Sequence, residues 1–231
     1  MKKIKISIVL FLIIILCSCG IKGKLHTEEE IEEYVDELEC NKRTHESCNL
    51  KGRYKLVKIQ ETDSERTLIL NVKDTDLEFE AKSYPACTGS IDGSCFESTY
   101  TIDSNYGTKA YDYLIDLYNK KINYKDELCY KYTNDSECSY SLQIKDKQDL
   151  EYFLIYYRGL IEYLNNQKIV LPESTISIVV PSNNRNNYLD IGIEYIKGKY
   201  YPYYSSQYVP LDGNIETYIG NFLKTNGIEL K

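Results

Sequence analysis

Histidine is scarce in this chain of 231 residues: only His26 and His45 could change charge near neutral pH without help from their surroundings. One stands in a short connecting stretch and the other between two cysteines, so neither is placed for acid–base catalysis. Also missing are G-x-S-x-G, H-E-x-x-H, G-x-x-x-x-G-K-[ST] and G-x-G-x-x-G, which removes the sequence support for the common hydrolases, zinc proteases and nucleotide-binding folds. No C-x-x-C occurs, so dithiol redox chemistry and close-spaced zinc ligands find no support. No apolar run reaches the ~20 residues that cross a bilayer. Basic residues are in deficit, with 28 Lys+Arg against 35 Asp+Glu. The first eighteen residues hold Lys2, Lys3 and Lys5 and no acid, which leaves the body a formal charge of −10. Such a body repels phosphate backbones, so no nucleic-acid partner is expected. Nothing in the pattern calls for a cofactor.

What is present first is an address. Lys2, Lys3 and Lys5 precede Ile6–Leu16, which is apolar apart from Ser7, in the shape of a secretion signal. Leu16-Cys17-Ser18-Cys19-Gly20 follows. This segment resembles the lipobox of bacterial lipoproteins: an aliphatic residue three before, a small residue one before, then the cysteine. Cys17 departs from the commoner small or hydroxylated residue. The resemblance covers the leader alone, and implies cleavage between Ser18 and Cys19 with a thioether-linked diacylglycerol on Cys19. Two acyl chains, at about 0.8 kcal/mol per buried CH₂, hold a protein on a bilayer where one is marginal. The competing reading is an ordinary cleaved signal that releases a soluble protein. On the lipoprotein reading, residues 1–18 are signal peptide, 19–26 are the lipidated cysteine with a tether of at most about 24 Å, and 27–231 form an extracytoplasmic domain.

Six cysteines remain in the body: Cys40, Cys48, Cys87, Cys95, Cys129 and Cys138. Fifteen pairings are open to six cysteines. Their spacing favours 40/48, 87/95 and 129/138, each closing a short polar or Gly-containing segment that reads as a turn. Disulfides and a secretory leader agree on an oxidising compartment. Reduced buried thiols are the main alternative. The spacing does not suit a metal, and no metal site is expected.

Thr27-Glu28-Glu29-Glu30 has the capping-box pattern, and Ile31, Tyr34, Val35 and Leu38 recur at helical spacing, which predicts a helix over 28–39. Period-2 segments over 54–59, 67–73, 77–82 and 96–102 predict antiparallel strands with one wet face. A helix is expected over 106–120, a hairpin over 129–144, and a helix after Asp146 whose stripe is Leu150, Phe153, Leu154, Tyr157, Leu160, Ile161 and Leu164. Strands at 175–180 and 188–196 flank a polar turn at 182–187; a Tyr-rich strand and a helix at 214–225 complete the chain. The expected class is α+β: antiparallel meander sheets packed by about four helices, with helix-then-meander occurring twice and sub-modules drawn at 27–120 and 121–231.

Two stretches invite a functional reading. Asp74-Thr75-Asp76-Leu77-Glu78-Phe79-Glu80 superficially suggests calcium, but it lacks the glycine of an EF-hand loop and is read instead as a turn followed by the wet face of a strand. The stretch from Lys199 to Pro210 gathers Tyr200, Tyr201, Tyr203, Tyr204 and Tyr208, flat apolar rings with polar tips, which suit a surface for peptides, glycans or proteins. Pro202 and Pro210 place it at an edge or loop, where a partner could add a strand. Tyr-rich composition also accompanies the bias of an A/T-rich genome, visible in only five Arg among the 28 basic residues, and tyrosine favours strands. The resulting expectation is a lipoprotein anchored at the cell membrane, binding or scaffolding an envelope protein or glycan, with an enzymatic role left open as the less favoured reading. An envelope hydrolase using paired carboxylates and a small-ligand solute-binding lipoprotein are the alternatives.

Overall fold

A computed structural model describes residues 20–41, 43–92, 94–123, 141–172, 174–182, 185–204, 209–210 and 215–230. The fold is α+β and divides into two compact units. The first takes the described residues up to Leu38 together with Asn49–Tyr106; the second takes Glu39–Cys48 and the described residues from Gly107 onward.

In the first unit a five-stranded sheet has the order β1-β7-β6-β5-β4. Its strands are β1 (Gly20–Lys22), β4 (Tyr54–Glu61), β5 (Arg66–Val72), β6 (Glu78–Ile91) and β7 (Ser94–Ser104). Strands β4 to β7 are an antiparallel meander, as the alternation predicts. Leu68, Leu70 and Val72 of β5 are buried together, and in β6 buried Phe79 and Ala81 alternate with exposed Glu78 and Glu80. The period-2 pattern thus sorts one face to the core and the other to water. Helix α1 (Glu28–Asp36) buries Ile31 and Val35. Its N-terminus is the expected capping box: the Thr27 hydroxyl accepts from the Glu30 amide, and the Glu30 carboxylate accepts from the Thr27 amide at 2.7 Å. Tyr54, Phe79 and Tyr106 meet edge to face across the core, with ring centroids 6.4 and 5.1 Å apart.

The tether is where the sequence reading needs correction. Residues 20–22 are strand, pairing in parallel with β7 as Gly20↔Glu97, Ile21↔Ser98 and Lys22↔Thr99. Lys22 bridges to Glu97 at 2.9 Å. Four residues later His26 is docked as well: its Nδ1 lies 2.8 Å from the hydroxyl of fully buried Ser83, and its carbonyl accepts from Arg66. Three residues are too few for a periodic signal, which is why a linker was expected there.

The second unit carries β8 (Ser141–Gln143), β9 (Ser174–Ser182), β10 (Arg185–Ile196), β11 (Lys199–Tyr204) and β12 (Val209–Pro210) in the order β12-β11-β10-β9-β8. Its helices are α2, which spans Tyr106–Ile122 and passes from the first unit at Gly107, α3 (Lys147–Leu164) and α4 (Ile215–Thr225). Asp146 caps α3 by accepting from the Asp149 amide at 2.9 Å. From α3, Phe153, Tyr157, Leu160 and Leu164 of the expected stripe are buried, with Tyr156 beside them. Strands β9, β10 and β11 are antiparallel, and the pairing of β9 with β10 extends to Ser182↔Arg185, into the segment 182–187 that reads as a turn.

Of the hairpin expected over 129–144, residues 129–140 lie outside the described residues. The described remainder, β8, pairs in parallel with β9. A parallel neighbour requires a long crossover, and α3 supplies it. Each unit therefore has a leading short strand, a helix and a four-strand meander, but the leading strand adds to opposite ends. In the first it joins the last meander strand, and in the second it joins the first. By strand order the two units are not copies.

Candidate functional site

The segment Glu39–Cys48 interrupts the first unit in sequence and belongs to the second. It is a small hairpin of β2 (Glu39–Asn41) and β3 (Glu46–Ser47), closed by the Cys40–Cys48 disulfide with Cα atoms 4.8 Å apart. Both cysteines are buried, so the bridge is the inner side of the hairpin. Asn41 organises the turn: its Oδ1 accepts from the amides of Arg43 and Thr44, at 2.9 and 3.0 Å.

The same asparagine fastens the hairpin to β10. Its Nδ2 donates to the Glu194 carboxylate and to the Tyr195 carbonyl, each at 2.9 Å. Arg43 reaches the same Glu194 oxygen with Nε at 2.9 Å and Nη2 at 2.6 Å. Glu194 is only 3% exposed. A carboxylate so buried costs several kcal/mol unless it is paired and hydrogen-bonded, and here three N–H groups converge on it. At the far end Glu46 accepts from the Lys197 amide with both oxygens, at 2.8 and 2.9 Å. Lys197 and Gly198 both have positive φ, at 50° and 78°, the geometry that a two-residue hairpin turn between β10 and β11 requires.

The tyrosine segment lies on this hairpin. Tyr200 is core: it is 5% exposed, its ring meets Tyr195 at 5.1 Å, and its hydroxyl accepts from the Leu171 amide at 2.5 Å. Its amide donates to Asn165 just beyond α3, and burial pushes its hydroxyl pKa well above the ordinary range. Tyr200 therefore leaves the proposed surface, because β-strand alternation turns it inward. Tyr201 is turned outward by the same alternation and is 44% exposed. It is the register partner of Glu194, so the two share a face with Cβ atoms about 5 Å apart. Tyr203 and Tyr204 continue β11, with side chains outside the described residues, as is the whole of Tyr208. Pro202 stands where β11 has only β10 beside it among the described strands, since β12 pairs with Tyr203 and Tyr204 alone.

This face offers an aromatic ring, a half-exposed guanidinium already balanced by Glu194, and the hairpin tip at Thr44 and His45. Those groups can stack and donate hydrogen bonds. His45 has a carboxylate partner, Glu39 at 2.8 Å, but is 76% exposed in bulk water, where a general base has no advantage. No cluster of three or more metal-ligating side chains occurs among the described residues. The turn at Asp74–Asp76 is held by Thr75, whose hydroxyl donates to the Val72 carbonyl at 2.8 Å.

Cys87 and Cys95 are also bridged, with Cα atoms 5.8 Å apart across the β6–β7 hairpin. Cys129, Cys138 and Cys19 lie outside the described residues. Asn41, Arg43, Glu46 and Glu194 were not legible as a site. Glu194 shares a strand face with Asp190 and alternates with Ile191 and Ile193 like any residue on a wet face, and nothing local reveals that another segment covers it. No family model, no curated protein and no solved structure matches this chain.

Proposed function

We propose that this is a lipoprotein, held at the outer face of the cell membrane by diacylglycerol on Cys19, that binds an envelope protein or glycan through the face formed by Tyr201 and the Glu39–Cys48 hairpin. The observation that carries the reading is the pair of local disulfides, Cys40–Cys48 and Cys87–Cys95. Structural disulfides persist in oxidising compartments, which agrees with export by the leader. The binding part rests on construction. The hairpin is fixed at both ends, by the disulfide and by four side-chain hydrogen bonds to β10, so its exposed groups are presented with little entropy left to lose on binding. Tyr201 adds a rigid amphipathic ring beside it.

The test is photo-crosslinking in intact cells with a benzophenone amino acid in place of Tyr201, and with the same probe at Asp74 as a control in the first unit. One dominant adduct specific to position 201 supports the reading. Equal, diffuse adducts at both positions would contradict it and return weight to a small-ligand binder or a carboxylate hydrolase.

A further inference from the structure

We infer that the disulfide-stapled tip of the β6–β7 hairpin is the part of the protein that rests on the bilayer, so that a rigid arm and not a flexible tether spaces the body from the membrane. The inference deepens the lipoprotein reading above and rests on it. Strand β5 pairs with β6 only as far as Ser83. Beyond it, Tyr84–Ile91 of β6 has β7 as its one neighbouring strand among the described residues. On the other side β1 lines β7 from Glu97 to Thr99, so the two strands form a ribbon of their own only beyond Gly89 and Glu97, and a two-stranded ribbon is marginal by itself. Cys87–Cys95 bridges it near its end.

The direction of β1 fixes which way this arm points relative to the lipid. Because β1 is parallel to β7 with Gly20 at Glu97, the Gly20 end of β1 is the one nearer Cys95 and Ser94. Ser94 lies three residues before Glu97, about 10 Å along the strand. Gly20 is the residue that follows Cys19 in sequence. On the lipoprotein reading the diacylglycerol is attached one residue before Gly20, at this end of β1, while the last β5 contact at Ser83 is about 20 Å from Gly89, the partner of Glu97, along β6.

The chemistry of the tip suits this place. Between Thr88 and Ser94 the one charged residue is Asp92. Lys22 is paired with Glu97, so Asp92 is the one unbalanced charge of this end, which meets anionic headgroups with little of the repulsion that a body of formal charge −10 would suffer. Ile21, one residue from Gly20 on the edge strand, is 49% exposed and adds an apolar side chain to the surface there.

The experiment uses the full mature protein extracted from membranes and reconstituted into phosphatidylglycerol–phosphatidylcholine vesicles that carry a headgroup nitroxide. A fluorescent amino acid replaces Asp92 at the arm tip or Asp74 at the opposite end of β6, and mass spectrometry checks the lipid on Cys19. Quenching several-fold stronger at 92 than at 74 supports the inference. Lipidated protein quenched equally at both sites, or more at 74, would overturn it and leave the lipoprotein reading standing. Absence of lipid on Cys19 would overturn both.

Discussion

Glu194 of β10 and Arg43 of the disulfide-closed hairpin are bound through a single carboxylate oxygen, which takes Nε at 2.9 Å and Nη2 at 2.6 Å while Asn41 donates to it as well. The two residues are 151 positions apart in sequence. That contact explains why a segment embedded in the first unit's stretch of chain folds as part of the second.

Removing the guanidinium leaves a buried carboxylate with Asn41 as its remaining side-chain donor. Arg43→Ala is expected to destabilise the protein by about 2 kcal/mol, the usual cost of stranding a buried charged acceptor, discounted because Arg43 itself is half exposed. Glu194→Gln, which keeps the shape and removes the charge, should cost less. Urea denaturation of both variants measures the difference, and equal stabilities would contradict the assignment.

The Cys40–Cys48 bridge closes a loop of eight-residue separation, for which the chain-entropy estimate is about 2.5 kcal/mol. The double variant Cys40→Ser/Cys48→Ser should lose about that much and expose the bond after Arg43 to trypsin. Native-state proteolysis reads this. A loop as resistant as before would show that Asn41, Arg43 and Glu46 hold it unaided.

Gly159 of α3 lies against Tyr118 of α2. A Cβ built there overlaps the hydroxyl of Tyr118, which donates to the Tyr156 carbonyl at 3.1 Å. Glycine in a helix interior ordinarily costs about 1 kcal/mol relative to alanine. Here Gly159→Ala should lower the melting temperature instead. Combining it with Tyr118→Phe, which removes the obstructing oxygen, should restore part of the loss. Stabilisation by Gly159→Ala alone would contradict the close packing.

Two carboxylates of α1 respond to pH with opposite sign. The backbone hydrogen bond from Thr27 holds Glu30 below its ordinary 4.5, so its cap is fully present above that value and is lost as pH falls through the lowered one. Burial, together with Glu28, Asp36 and Glu29, raises Glu32 above 4.5, so the stability it contributes is present below 4.5 and lost as pH rises through the raised value. At pH 7 Glu30→Gln should therefore loosen α1 and Glu32→Gln tighten it. Amide exchange of α1 resolves both, and the contrast should shrink once the pH lies below both values.

What could be read from the sequence was whatever depends on neighbours in the chain. Thr27 and Glu30 announce a helix start because both hydrogen bonds of the box are local, as does Asp146 for α3. Leu68, Leu70 and Val72 announce a buried strand face by alternation. The 40/48 and 87/95 pairs follow from short turns. Everything that depends on distant partners stayed hidden. Strand β1 exists because β7 offers an open edge, and β8 is parallel because α3 returns the chain to β9. The Tyr-rich segment showed the same limit: composition identified it, but only the register with Glu194 and Tyr195 separates outward Tyr201 from buried Tyr200.

The central claim is the lipid-anchored address, and the most direct measurement is mass spectrometry of the N-terminal peptide of the membrane-extracted protein, with fractionation of the Cys19→Ser variant alongside. The account predicts a chain beginning at Cys19 and carrying diacylglycerol, and a variant that no longer partitions through that lipid. An unmodified Cys19, or a Cys19→Ser protein that still partitions fully with membranes, would contradict it.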